Sequence, residues 1–290
     1  MVRFYWKIKI IFAVTIISIV ILYILLQSDF ICYLNDKLTT KINPRLDELK
    51  IYTYSTISSS SSNKDLIVIM TPKLSYDIIS RLKLFDTNLF DNYTTPLLIM
   101  YSNQPDKAYA MHLTKIIKRK LMFLDISSIF SLFPSDLDTC HTKTSYWRRG
   151  KWNYQLMIRF WFKILFELPQ FQKYEHIMRL DDDSKILGNW FNVFQEMRNK
   201  HAVYFANNHD SDVENILPGT MILPYIALRY IIINNITIKQ PNMIRYGFGD
   251  NHILTYFNNF EIMKLEFFRR QNVRQWIDEV DRTSGIFKYR

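Results

Sequence analysis

From residue 64 the chain alternates short apolar runs with longer amphipathic segments. Leu66-Ile67-Val68-Ile69-Met70 is a run rich in β-branched residues, closed by Thr71-Pro72. Its length and composition predict a buried strand. Ile78, Ile79, Leu82 and Phe85 then recur at helical spacing. Residues 96–101 predict a second buried strand, 106–120 a second helix and 121–126 a third strand. The longest stripe follows Gly150. Leu156, Met157, Phe160, Trp161, Ile164, Leu165 and Leu168 form one apolar face over three helical turns, and Pro169 stops it. Residues 174–180 predict another strand, 190–198 a helix and 202–206 a strand. Strands alternating with helices predict an α/β domain with a mostly parallel central sheet.

The N-terminus has a different pattern. Residues 10–26 are 17 positions without a charge, near the lower limit for a helix that spans a bilayer. Arg3, Lys7 and Lys9 precede the run, which orients the short tail to the cytosol and the remainder to a lumen. The apolar core is longer than a usual signal-peptide core, and Leu25-Leu26-Gln27-Ser28-Asp29-Phe30 offers no small-x-small cleavage site, so an uncleaved transmembrane helix is expected. The organisation read from the chain is a cytoplasmic tail (1–9), a signal anchor (10–26), a stem (27–63) that includes the Ser58–Ser62 run, and a lumenal domain (64–290). Two features fit this address weakly. Cys32 and Cys140 can pair, bridge two chains or stay free. Asn92-Tyr93-Thr94 and Asn235-Ile236-Thr237 are N-glycan acceptor tripeptides.

Charge and composition narrow the chemistry. The net charge is +10, but no basic run is interleaved with a nucleic-acid motif, so no nucleic-acid partner is expected. Lys118-Arg119-Lys120 reads as a solvated basic face. Arg148-Arg149-Gly150-Lys151 stands closer to the acidic residues and is either another such face or part of a cleft for an anionic diphosphate. With six glycines, and no P-loop, dinucleotide fingerprint or zinc spacing, phosphate cradles of those types are nearly excluded.

The candidate site is Asp181-Asp182-Asp183, directly after the strand expected over 174–180. Alternation along an extended chain sends Asp181 and Asp183 to one side and Asp182 away. Paired carboxylate oxygens suit Mg²⁺ or Mn²⁺ carrying phosphates, and ligands of α/β sheets bind outside the carboxyl ends of strands. A nucleotide-sugar transferase needs that arrangement, although an isolated acidic triplet is more often a solvated turn. Arg159 is a candidate donor or acceptor contact, or one member of a solvated stripe with Lys163 and Glu167. Tyr154 is a candidate sugar-stacking ring or a packed aromatic. His176 reads as packed within a strand. His209 and Asp210 mark a second polar loop, and His252 lies near Asp250.

Three blocks in order resemble a known family. They are Tyr154-x-x-Met157-x-Arg159-Phe160-Trp161 running on to Met178-Arg179-Leu180-Asp181-Asp182-Asp183, then Phe257-Asn258-Asn259-Phe260-Glu261-Ile262, and last Asp281-Arg282-Thr283-Ser284-Gly285-Ile286-Phe287. Together they resemble the fungal-type glycolipid and glycoprotein α-1,2-mannosyltransferases over about residues 64–290. The resemblance implies a Golgi type II membrane protein with a GT-A-like fold. It implies transfer of mannose from GDP-mannose to a mannosylated glycoprotein or glycolipid, with Mn²⁺ and retention of the α configuration. It places metal and donor binding on Asp181, where the family commonly has Glu-Pro in place of Asp181-Asp182, and the candidate nucleophile on Glu261. Asp183 joins as a metal ligand by its chemistry. Without the resemblance, Glu261 reads as an acid at a helix start. The family continues past the match to Tyr289-Arg290 with a Trp-Gly-Asp-Ala-Pro block and a metal-ligating histidine, so a C-terminally truncated domain is expected. The rival expectations are a GT-A transferase of another nucleotide sugar and a non-catalytic relative that binds glycans.

Overall fold

The fold is seen in a computed structural model that describes residues 46–53, 64–71, 76–89, 94–102, 107–138, 152–213, 220–249 and 252–288. The expected span at 10–26, both cysteines, Asn92 and the basic cluster at 148–151 lie outside these residues. No helix among the described residues is long and apolar enough to cross a membrane.

In chain order the elements are β1 (Ile51–Thr53), β2 (Asp65–Thr71), α1 (Tyr76–Asn88), β3 (Leu97–Tyr101), α2 (Lys107–Ile116), β4 (Leu121–Asp125), α3 (Asn153–Arg159), β5 (His176–Asp181), α4 (Val193–Asn199), β6 (Tyr204–Val213), α5 (Leu223–Ile233), α6 (Pro241–Gly247), β7 (Phe248–Gly249), β8 (His252–Lys264) and α7 (Gln271–Arg282). The sheet runs β1-β4-β3-β2-β5-β8-β6, with β7 on β8. Among the described strands, only the central β4-β3-β2-β5 set pairs in parallel. β1, β8, β6 and β7 pair antiparallel. The sheet is therefore mixed, where a mostly parallel one was expected. Two stretches caused the difference. Residues 51–53, assigned to the stem, add an edge strand to β4. Residues 252–264, which contain an Asn258-Asn259 pair that resembles a turn, form a long strand because β5 and β6 satisfy both of its edges.

Strand alternation divides the core into two layers. Ile67, Ile69, Leu97, Ile99, Met178, Leu180 and Ile262 pack against α1, α2 and α4 on one face. Leu66, Val68, Leu98, Met100, Ile177 and Met263 pack on the other against the α3 stripe. Runs buried on both faces are what a central parallel sheet requires. Each fully buried aliphatic or phenyl side chain stabilises the fold by roughly 1.5–3 kcal/mol. The α3 stripe is buried as its periodicity predicts, but the helix passes through a π turn at Phe160–Ile164, where the Leu165 N–H reaches the Phe160 carbonyl.

Buried charge ties the layers together. Arg119, expected on a solvated basic face, is fully buried. Its Nε donates to Asp86 Oδ1 at 2.7 Å and its Nη1 to the Thr95 carbonyl at 3.0 Å. At the amino ends of β2 and β5, Asp65 faces His176 Nδ1 at 3.0 Å and accepts both Arg198 Nη atoms at 2.9 and 2.8 Å. His176 is thus packed and hydrogen-bonded, as its place in a strand suggested. Arg159 bridges α3 to α7. Its Nε and Nη2 donate to the two oxygens of Asp281 at 2.6 and 2.8 Å, and its Nη1 to the Leu132 carbonyl. Nearby, Trp152 is held at φ 86°, an uncommon conformation for a bulky residue, and packs on Phe287 with ring centroids 5.6 Å apart.

Two consequences are measurable. Removing one partner of a buried, hydrogen-bonded ion pair strands the other, so Asp281→Ala should cost about 3–5 kcal/mol in urea-unfolding free energy. A cost below about 1 kcal/mol would show that Arg159 finds water instead. For Asp65, burial pushes the carboxyl up, but the hydrogen bonds from His176 and Arg198 outweigh it and hold the group below its ordinary 3.8. The unfolded chain then binds the proton first as pH falls, so this stability is complete above 3.8 and is lost through the depressed native value. Asp65→Asn should flatten that acid limb of the unfolding midpoint.

Candidate functional site

The site lies at the carboxyl end of β5. Alternation puts Arg179 and Asp181 on the same face of β5, and the antiparallel register sets Glu261 of β8 directly opposite Arg179. Arg179 binds both acids. Its Nη1 donates to Glu261 Oε1 at 3.0 Å, and its Nε and Nη2 to Asp181 Oδ1 at 3.1 and 3.0 Å. The guanidinium stacks on Trp161 of the π turn, 4.5 Å from the ring centre. From β6, the Tyr204 hydroxyl donates to the other Glu261 oxygen at 2.5 Å. Arg179 and Glu261 are buried. Burial first, then the negative charge of Glu261, pushes the Tyr204 phenol well above its ordinary range, so it keeps the proton it donates. Glu261 is therefore a strand residue with both oxygens held, not an acid at a helix start. The next helical turn begins four residues later, at Leu265.

Two cavities flank this group. A cavity of about 640 Å³ is walled by Phe166, Tyr204, Phe268 and Trp276, and Arg179, Asp181 and Glu261 open into it. A second, of about 520 Å³, lies at the ends of the parallel strands, with Thr71 closing β2, Ser102 after β3, Ser127 after β4, Asp181 closing β5, and Asp182 and Asp183 after it. Tyr154, Met157, Trp161 and Asp181 line both. The chain leaves β2 toward β3 on one side and later returns to pair β5 on its other side. The smaller cavity thus sits at the topological switch point where open α/β sheets bind ligands.

The triplet does not alternate as expected. β5 ends at Asp181, and the Ser184 N–H closes a turn on the Asp181 carbonyl at 3.0 Å. Asp182 consequently lines the same cavity as its neighbours. Among the described residues, neither the Asp182 nor the Asp183 carboxylate has an ion pair or hydrogen bond, and no three His, Cys, Asp or Glu side chains form a ready metal cluster. Burial raises Asp181 above the ordinary carboxylate value. Arg179 opposes that shift, and Asp183 and Asp182 add to it. The donor set fits a hard divalent ion of the kind that takes one or two carboxylates from protein and the rest of its shell from phosphate and water. Asp181 keeps Oδ2 outside its contact with Arg179, and Asp183 is exposed.

Of the remaining expected residues, Tyr154 is exposed and lines both cavities, which fits a ring that meets a ligand better than a packed one. Arg159 is corrected. Its guanidinium is taken up by Asp281 and the Leu132 carbonyl, and it lines neither cavity. Of the solvated stripe proposed for it, only the Lys163–Glu167 pair stands, at 3.3 Å. His209 and Asp210 lie within β6, paired to Tyr256 and Thr255, and not in a loop. The side chain of His252 is outside the described residues. Sequence reasoning missed Arg179, Tyr204 and Trp161 as site residues. For Arg179 a signal existed, since a charged side chain inside an otherwise apolar strand is seldom buried without a partner.

Comparison with known proteins bears on the family and the fold. O-glycoside alpha-1,2-mannosyltransferase homolog 2 of Schizosaccharomyces pombe is 22% identical over 271 residues, covering 88% of this chain and 68% of that protein. Core-mannan synthase A (CmsA/Ktr4) of Aspergillus fumigatus, solved in a Mn/GDP form, superposes with a TM-score of 0.60 at 15% identity, over 85% of this chain and 71% of that one. Ktr4p of S. cerevisiae in complex with GDP superposes at 0.57 and 15% identity, over 90% of this chain and 73% of that one. These two likenesses establish a shared mixed α/β fold. The sequence profile of the glycolipid 2-alpha-mannosyltransferase family matches residues 33–290. A match of that extent, on a chain with this fold, makes it a member of the glycolipid 2-alpha-mannosyltransferase family.

Proposed function

We propose that this chain transfers mannose from GDP-mannose to a hydroxyl of a mannosylated glycoprotein or glycolipid, in α-1,2 linkage with retention, and uses Mn²⁺. The observation that carries the reading is Glu261, a buried carboxylate held between Arg179 and Tyr204 and joined through Arg179 to the acid at the strand end. The donor diphosphate fits the smaller cavity, with Asp181 and Asp183 as the residues that would hold the ion. When bound, a divalent ion neutralises charge on a departing diphosphate. The sugar then lies toward the larger cavity, against Tyr154 and beside Glu261. Positive character at the anomeric carbon is stabilised by the Glu261 carboxylate. Each of its oxygens already accepts a hydrogen bond, which favours electrostatic support of front-face attack over covalent capture. The aromatic wall of the larger cavity offers stacking surface for an acceptor sugar. We place the domain in the Golgi lumen behind a type II anchor at residues 10–26, a reading supported by the uncharged run and the cations before it.

The reading is tested with the purified chain and radiolabelled GDP-mannose, with UDP-sugars and GDP-fucose as competing donors. Transfer should require Mn²⁺ and vanish in excess chelator, and Asp181→Ala should abolish it. Full turnover in chelator, or preference for another donor, would overturn the assignment. Glu261→Gln keeps the shape and most of the hydrogen bonds but removes the charge, so kcat should fall by about a hundredfold or more with KM for the donor little changed. A variant that is folded and near normal in turnover would reduce Glu261 to a structural partner of Arg179.

A further inference from the structure

The acidic turn after β5 is held from behind by α1. β5 pairs with β2 as far as Asp181 and with β8 as far as Leu180, so Asp182 and Asp183 lie beyond both ladders. The carboxylates also repel one another. After burial, the charges of Asp183 and Asp182 push the Asp181 carboxyl up. Hydrogen bonds counter that repulsion. The Ser184 N–H closes on the Asp181 carbonyl at 3.0 Å, and its hydroxyl donates to the Asn259 carbonyl at 3.3 Å. From α1, Asn88 Nδ2 donates to the Ile186 carbonyl at 2.7 Å, and Arg81 Nη1 to the Asp182 carbonyl at 2.6 Å.

Arg81 is the charged donor of this set. It lines a small gap behind the turn with Ile69, Leu180, Asp182 and Ser184, and it lines neither of the two large cavities. Among the described residues no carboxylate pairs with it. It therefore reaches the site through the main chain of the triplet and not through a ligand. A hydrogen bond from an ionised donor is roughly twice as strong as a neutral one. The Asp182 carbonyl belongs to the planar peptide that joins Asp182 to Asp183. Fixing its direction fixes that plane, and with it the aim of the Asp183 carboxylate relative to Asp181.

We infer, on the transferase reading above, that Arg81 is a positioning residue for the divalent ion, which it serves by holding the Asp182–Asp183 peptide. Its charge has the opposite effect, because a guanidinium repels a nearby cation. Positioning is the larger effect. Asp182 and Asp183 have no other side-chain partner among the described residues to aim them, while Asp183 is exposed and water and salt screen the repulsion there. Removing Arg81 separates the two effects by sign: lost positioning weakens the ion's binding, and lost repulsion tightens it.

The test titrates the full chain with Mn²⁺ alone, without donor or acceptor, and reads free Mn²⁺ by electron paramagnetic resonance. Arg81→Met keeps the apolar stem and removes the donor. It should raise the Kd for Mn²⁺ by about ten- to a hundredfold, the range for a residue that orients a metal ligand, with the metal-free melting temperature little changed. Arg81→Gln, neutral and shorter, carries the same expectation and decides the matter if the methionine variant does not fold. Lys83→Met removes a cation from the exposed side of the same helix and should leave the Kd unchanged. Tighter or unchanged binding without Arg81, or an equal loss in Lys83→Met, would overturn the proposal. Asp181→Ala keeps its failure distinct from that of the metal assignment. If Asp181→Ala abolishes binding and Arg81→Met does not weaken it, only the role of Arg81 falls. If Asp181→Ala binds Mn²⁺ as the wild type does, the metal assignment falls and the role of Arg81 with it.

Discussion

The site depends on one guanidinium. Arg179 sits in a strand with apolar neighbours on both sides, where an unpaired charge would be strongly destabilising. It is tolerated because three groups converge on it. Asp181 comes from the same face of its own strand, Glu261 from the strand opposite, and the Trp161 ring from the layer beneath. In turn Arg179 keeps two carboxylates close together without mutual repulsion dominating. One of them stands where a diphosphate and its cation are expected, and the other where a sugar carbon is expected.

Much of the rest of the fold maintains that convergence. The β5–β8 pairing decides which residue faces Arg179, and a slip of one position would replace Glu261 with an apolar neighbour. The β6–β8 pairing brings Tyr204 to the far oxygen of Glu261. The π turn in the long helical stripe carries Trp161 where it lies beneath the guanidinium; such turns recur at functional sites. Away from the site, Arg159 with Asp281 joins the helix beneath the sheet to the last long helix, and Trp152 with Phe287 joins their ends. The blocks through which the sequence resembles its family are thus joined in space by ion pairs and ring contacts. At the opposite end of the central strands, Asp65, His176 and Arg198 form a second polar group with a structural role.

Sequence patterning was most reliable where one element determines its own burial. The central strands and the stripe from Leu156 to Leu168 were legible because period and composition report a face directly. The acidic triplet at a strand end was legible for the same reason, as was Tyr154 near a helix start. Edge strands were not. Residues 51–53 carry no strong pattern, and the polar Asn207-Asn208-His209-Asp210 stretch resembles a loop until β8 supplies its hydrogen bonds.

By itself, the sequence determined the strand-helix alternation, the metal-suited carboxylates at the end of β5 and, through its ordered blocks, the family. Tertiary structure alone decided which charges are paired off inside the fold and which open into a cavity. Arg159 and Arg179 are both arginines within apolar stretches, and nothing local separates them. One meets Asp281 across a helix pair and is used up there, and the other meets Asp181 and Glu261 beside two cavities. The difference lies in partners about 80 to 120 residues away in the chain, brought near by strand register and helix packing. Local periodicity reports which way a side chain faces but carries no information about what it will face.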